Sequence, residues 1–361
     1  MNFKDKHIWI ISPESWGEQL LSKHHYAIEL ANRNNDVVFI EPEGKHASVR
    51  PLEGYPNIQL IAWKSVRGLR KLPRSISKVL QRKEMLKIAE LTGGQPDVIW
   101  SFDNSRFFDL NAWDIPALKI HHVVDLNQQF ELGRAAKTAD VCFCTSSFIQ
   151  DELKNHNEKV YNIGHGCAPV KANNWSEHNQ TKKVMYVGNL LIPLLNRTLI
   201  LEAVRQFPET AFHFVGAYER SNVSRKVDAS AKAFIEELKS LPNVHLRGPM
   251  QKEAFHAALL EADIFIVAYK KEAFHQVANP HKLPELLSTG RAILSNVLSE
   301  YQALDFIEMV DSDYIWLTVL AQMIEDTKSW NTPELQLQRT TWAQSRSYSN
   351  QLKKIEQLID E

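Results

Sequence analysis

A lysine and a carboxylate three residues apart, Lys282 and Glu285, follow a buried-strand pattern and precede a Gly290-Arg291 pair. Lysine meets phosphate as a mobile point charge, and a carboxylate accepts hydrogen bonds from sugar hydroxyls. Together the two would suit a sugar nucleotide, the lysine on the diphosphate and the glutamate on the ribose. An i,i+3 ion pair on the surface of an ordinary helix is the plainer alternative. Both lie in Asn279-Pro280-His281-Lys282-Leu283-Pro284-Glu285-Leu286-Leu287-Ser288-Thr289-Gly290.

The flanking elements must position them. Asp263 to Tyr269 is an apolar run that reads as a buried strand, and Ala292 to Asn296 is another. The segment is therefore strand, loop, short helix, glycine stop, strand. Ligands of open α/β sheets bind beyond the carboxyl ends of the strands, and the loop after Tyr269 is such an end. Two helix starts are open. Asn279-Pro280 makes an N-cap and first-turn pair, but it leaves Pro284 inside the helix. The other start is Pro284 itself, with Lys282 in the loop. Both put Lys282 and Glu285 near a helix N-terminus, where unpaired N–H groups favour an anion. The earlier start turns Leu283, Leu286 and Leu287 toward the sheet.

From Asn279 to Asn296 the chain resembles the donor-binding signature of GT-B glycosyltransferases. Pro280, Lys282, Glu285, Gly290 and Arg291 match that signature. The resemblance implies an α/β fold of two Rossmann-like, doubly wound parallel-sheet domains facing each other. It also implies a nucleoside-diphosphate sugar as donor, UDP favoured, with no metal expected. One departure matters: retaining enzymes of family four carry a second glutamate eight positions before the matched one, where this chain has Val277. Retention of configuration is therefore not carried over.

The length of 361 residues suits two domains, and the net charge of −1 gives no global argument for nucleic acid or membrane. Three cysteines make no disulfide framework; Cys142 and Cys144 alternate in an apolar run, which suits reduced core residues. The first residues lack the apolar stretch of a signal peptide, and no apolar run approaches the ~18 residues of a spanning helix. A cytoplasmic protein is expected, with any membrane contact peripheral, at the inner face of the plasma membrane.

The chain opens as a βαβ unit: a strand at His7–Ile11, a turn-rich loop through Gly17, a helix over about 20–32 and a strand at 37–42. GxGxxG is absent. By the resemblance, residues 1–170 form the acceptor-binding domain, 171–180 the linker, 181–333 the nucleotide-sugar domain, and 334–361 a terminal helix packing back on the first domain. Gly17, His24 and His25 then border the acceptor side, with a solvated helix face the alternative for the two histidines. His165, beside Gly166 near the hinge, is a cleft residue placed to touch donor phosphate or sugar, with a buried, hydrogen-bonded histidine the alternative. Strand-end Asp125 is the candidate general base, with Asp103, His122 and His165 as further choices; a strand-end aspartate also commonly caps a turn. Ser147 is expected to cap the helix over 148–155.

In the second half, Gly188 after the strand Lys183–Val187 lets backbone come close to a ligand, with Asn189 beside it. The turn at Arg247-Gly248-Pro249 resembles the place where the family holds the base. Arg220, Arg225 or Arg247 could add a second cation. The expected donor contacts are thus Gly188, Asn189, Arg247, Asn279, Lys282, Leu283 and Glu285.

Residues 64–83 carry Lys64, Arg67, Arg70, Lys71, Arg74, Lys78, Arg82 and Lys83 among apolar residues, with no acid. This reads as a basic amphipathic helix, with Arg67, Arg70, Lys71 and Arg74 as candidates for contact with an anionic membrane. A solvated helix or a nucleic-acid patch shares the pattern, though no nucleic-acid reader motif accompanies it. The function implied is transfer of a sugar to a glycan or lipid-linked acceptor in bacterial surface polysaccharide synthesis. The alternative is a non-catalytic sugar-nucleotide-binding partner of such a system.

Overall fold

A computed structural model describes residues 2–17, 20–42, 48–125, 130–170, 175, 181–219, 228–271 and 279–361. Val277, Arg220, Arg225 and all of the expected linker except Trp175 lie outside the described residues. The chain divides into two compact units: Met1–Gly166 with Tyr348–Glu361, and Cys167–Ser347.

The first unit runs β1 (His7–Ile11), α1 (Ser22–Ala31), β2 (Asp36–Pro42), β3 (Ser48–Leu52), β4 (Tyr55–Trp63), α2 (Arg74–Thr92), β5 (Val98–Ser101), β6 (Leu118–Val123), α3 (Leu132–Thr138), β7 (Val141–Cys144), α4 (Ser147–Lys154) and β8 (Val160–Asn162). These strands form one sheet in the order β3-β4-β2-β1-β5-β6-β7-β8, parallel except for β3 against β4. Strand residues alternate between two apolar layers: Trp9, Ile11, Val38 and Ile40 face one, Ile8, Ile10, Val37 and Phe39 the other. Burial on both faces is why these strands read as unbroken hydrophobic runs.

The second unit contains β9 (Lys183–Val187), α5 (Arg197–Gln206), β10 (Ala211–Val215), α6 (Ala229–Ser240), β11 (Val244–Gly248), α7 (Lys252–Leu260), β12 (Ile264–Val267), α8 (Leu283–Ser288), β13 (Ala292–Asn296), β14 (Glu308–Val310), α9 (Asp313–Glu325), α10 (Thr327–Trp330) and α11 (Pro333–Ser345). Its sheet is wholly parallel, in the order β11-β10-β9-β12-β13-β14. In both units the order reverses beside the first strand, at β1/β5 and at β9/β12. This is the switch point of a doubly wound sheet, where loops diverge and leave a crevice.

Three expectations shift. The terminal stretch is two helices, α11 and α12 (Tyr348–Asp360), not one, and α12 is part of the first unit. The break falls where the Cys167 N–H donates to the Arg346 carbonyl at 2.9 Å and Cys167 bridges to Ser347. The basic stretch is not one helix either: Gly68, at φ 79°, turns the chain into a 3-10 turn at Leu69–Lys71, and Pro73 precedes α2. The cap of α4 is Ser146, whose Oγ accepts from the Ile149 N–H at 3.3 Å, one residue before the serine expected. Trp175 is anchored in the second unit, its indole N–H on Asp263 at 2.9 Å and its backbone N–H on Gln336 at 2.7 Å.

Candidate functional site

In the second unit, the loops after β9 and β12 meet at the switch point. The Gly188 N–H donates to Val215 at 2.9 Å, and the Gly216 N–H donates to Gly248 at 3.0 Å. A Cβ on Gly216 would fall 2.0 Å from the Gly188 carbonyl oxygen, so only glycine lets these strand ends approach so closely. Asn189 turns the loop by accepting from the Leu191 N–H at 2.9 Å. Cross-ties then fix it to the chain after β12: Asn196 N–H to Ala268 at 3.0 Å and Lys270 N–H to Leu194 at 2.9 Å. The Tyr269 N–H donates to Asn296 Oδ1 at 2.8 Å.

The helix start is resolved between the two choices. Leu283 N–H donates to Pro280 at 3.0 Å, which makes a separate turn, and Leu286 N–H then donates to Lys282 at 3.0 Å. Lys282 is the N-cap, and Pro284 sits in the first turn, where its missing N–H breaks no bond. The Lys282 Nζ donates to Glu285 Oε2 at 2.9 Å and lies 5.0 Å from the centre of the Phe255 ring. Their side chains are 35% and 14% exposed, so the pair is lodged against the unit rather than extended into solvent. The hydroxyl of buried Tyr301 donates to Asn279 Oδ1.

Two expected donor contacts are corrected. Leu283 is 1% exposed and packs with Leu286 and Leu287 against Phe265 and Ile293, so it is core. Arg247 is occupied elsewhere: its guanidinium holds both oxygens of Glu261, at 3.0 and 2.7 Å, and its Nε donates to His213 at 2.9 Å. Glu261 follows α7, beside Lys183 at the amino end of β9, so this cation points away from the carboxyl edge. The bidentate grip pulls the Glu261 carboxyl down to about 2. Arg291, the basic residue of the matched signature, is buried with its N–H groups on the carbonyls of Ala262, Thr289 and Leu260.

In the first unit, two depressions flank the β1/β5 switch point at the carboxyl edge. Asp125, exposed just past β6, lines the smaller with Glu14, Lys23, Asn104 and His122. Lys23 is buried and ion-paired to Glu14. The alternative bases fare differently. Asp103 is fully buried and accepts from Ser105 N–H, Ser105 hydroxyl and Arg106 Nε at 2.7, 2.6 and 2.6 Å, so it is a structural anchor. His122 is buried among Phe102, Tyr26 and Trp100, and burial drives its pKa down to about 3; burial likewise lowers neighbouring His121 to about 4. An imidazole of that pKa is a weak base at neutral pH.

His24, expected at a cleft or on a solvated face, is on neither. It is 1% exposed, stacks on Phe39 with ring centres 5.0 Å apart, and accepts the Leu21 N–H on Nδ1 at 2.8 Å, capping α1. Burial lowers its pKa to about 3. His25 instead stacks on Tyr348, ring centres 4.6 Å apart. His165 is buried, with its carbonyl held by Gln351 at 3.3 Å. Gly17 is exposed in the loop after β1.

The larger depression, about 420 Å³, is lined by Lys64, Arg67, Arg70, Arg106, Trp63 and Phe130 among others. Arg106 was not singled out from sequence, because an arginine after Asn104-Ser105 reads as loop surface. Its guanidinium ties four strand ends together: besides Asp103 it donates to the carbonyls of Ser12, Glu41 and Trp63. Arg67, Arg70, Lys71 and Arg74 are all exposed, but Arg67 and Arg70 line this cavity. Arg74 opens α2, 3.6 Å from buried Asp109.

Two doubly wound sheets, parallel but for β3, match solved structures along nearly the whole chain. A sucrose-phosphate synthase from Thermosynechococcus elongatus aligns at TM-score 0.70 and 13% identity, over 98% of each chain. Anabaena HepE, solved in complex with UDP and glucose, aligns at TM-score 0.68 and 12% identity, over 99% of this chain and 100% of its own. An alpha,alpha-trehalose-phosphate synthase (UDP-forming) from Burkholderia vietnamiensis aligns at 0.67 and 9%, over 98% and 96%. The chain has the GT-B fold. No family model matches the sequence, and no curated protein does. The GT-B likeness therefore resides in backbone course. Among the described residues no helix is long and apolar enough to cross a membrane.

Proposed function

We propose that this chain is a glycosyltransferase that moves a sugar from a nucleoside-diphosphate sugar to a glycan or lipid-linked acceptor. The observation that carries the reading is the switch point of the second sheet. There Gly188 and Asn189 follow β9, and the Lys282–Glu285 pair follows β12. An incoming diphosphate would take Lys282 from Glu285, and the freed carboxylate would accept from ribose hydroxyls. UDP is favoured because HepE was solved with UDP and the trehalose-phosphate synthase is UDP-forming. In the first unit Asp125 takes the acceptor proton: it is exposed in a depression at the carboxyl edge, whereas Asp103 and His122 are unsuited by their bonds and burial.

Calorimetric titration with UDP, GDP and ADP tests the donor site. UDP should bind, and Lys282→Ala should weaken it about tenfold, as the loss of a charge-assisted contact does. If none of the three nucleotides binds, the reading fails.

A further inference from the structure

We propose that the larger cavity of the first unit binds a phosphate or diphosphate ester, and that the acceptor of the transfer carries this group. Calling the ligand an acceptor rests on the glycosyl-transfer reading; the anion site itself stands on the first unit alone.

The cavity's volume, about 420 Å³, is that of a small-molecule site. It opens at the carboxyl edge of the sheet, by Pro13 after β1, Pro42 at the end of β2 and Trp63 at the end of β4. Its charge is one-sided. Asp103, the carboxylate on its wall, is consumed by Arg106. Among the described residues no carboxylate pairs with Lys64, Arg67 or Arg70, which line the same wall. Cations of one sign gathered around a concave opening sum to a positive potential that draws an anion toward it.

The loop that bears them is fixed. The Val66 N–H donates to Glu84 Oε1 at 2.7 Å, the Leu69 side chain is 3% exposed, and Arg106 holds the Trp63 carbonyl at 3.3 Å. The Arg70 guanidinium lies 4.3 Å from the centre of the Phe130 ring, which orients it. Two arginines and a lysine are the donor set for phosphate oxygens, and arginine adds bidentate geometry. Trp63 and Phe130 supply apolar faces for what the phosphate is attached to. A soluble sugar phosphate and a membrane-borne polyprenyl diphosphate share this chemistry.

The full chain and its Arg67→Ala/Arg70→Ala variant, both exposed positions, would be compared in three measurements. These are calorimetry with inorganic pyrophosphate in the presence of saturating UDP, cosedimentation with phosphatidylcholine vesicles with and without a polyprenyl diphosphate and with phosphatidylglycerol vesicles lacking it, and a UDP titration. The expected result is binding of pyrophosphate, of the diphosphate vesicles, or of both, weakened at least tenfold in the variant, with UDP affinity unchanged. Binding of pyrophosphate alone assigns a soluble ester, and a preference for the vesicles assigns the lipid-borne one. The proposal is overturned if neither probe binds, if the variant binds as well as the parent, or if phosphatidylglycerol vesicles without diphosphate bind equally. Arginine-dependent pyrophosphate binding by a chain that does not bind UDP would support the anion site and overturn its link to glycosyl transfer.

Discussion

At Arg106 a single guanidinium decides the shape of an edge. Its bonds to Asp103 and to three backbone carbonyls hold the ends of β1, β2, β4 and β5 in one arrangement. Arg106→Ala would leave the Asp103 carboxylate buried without its counter-charge, and such losses cost roughly 3–5 kcal/mol. Urea unfolding of the variant should show that drop; a change under 1 kcal/mol would contradict it. Three histidines of the same unit make a second prediction. Burial holds His24, His121 and His122 at about 3, 4 and 3, below the ~6.5 of an unfolded chain. As pH falls below about 6.5 the unfolded chain takes up protons that the folded one refuses. Their contribution is therefore complete above pH 6.5 and declines as pH falls toward 3, each histidine adding up to ~1.4 kcal/mol per pH unit. The urea midpoint should fall clearly between pH 7.5 and 5.5, and an unchanged midpoint would show that these rings are accessible when folded.

At the scale of elements, α12 carries a prediction of its own. Leu352 and Ile355 are fully buried in the first unit's core, and Glu356 accepts from the Phe3 N–H at 2.7 Å and from Arg33 at 3.1 Å. Leu352→Ala should destabilise that unit by roughly 2–5 kcal/mol, while UDP affinity, if it belongs to the second unit as proposed, stays unchanged in calorimetry. The elements also show what the sequence made legible. Strands buried on both faces announce themselves as apolar runs, and the short helix between Lys282 and Gly290 was bounded by its own Pro284 and glycine. The basic stretch misled because charge spacing carried the helix reading through Gly68 and Pro73, although both residues were there to break it. Leu283 is legible as core, since helical spacing already turns it toward the sheet with Leu286 and Leu287, and counting it among the donor contacts overrode that pattern. Arg247 misled for another reason: its chemistry suits a ligand, but its direction is set by a tertiary partner, Glu261, that no local pattern reveals.

For the molecule as a whole, the proposed division of labour is testable by separating its two halves functionally. Asp125→Asn removes the proposed proton acceptor in one unit and leaves the proposed nucleotide site in the other unaltered. Acceptor-dependent release of nucleotide should fall at least ~10²-fold, with calorimetric UDP affinity intact. Loss of both together would place Asp125 in the donor site, and retention of both would exclude it as the base. A chain that binds UDP but releases none with any acceptor would instead be a sugar-nucleotide-binding partner.

The placement of α12 bears on how the protein is made. A ribosome delivers the residues of the second unit, 167–347, before the last piece of the first, 348–361. The half begun earliest is thus the half finished last, and the surface around Tyr26 and Leu30 that α12 covers stays bare through most of synthesis. Released chains truncated before residue 348 should therefore attract chaperones through their first domain while their second folds.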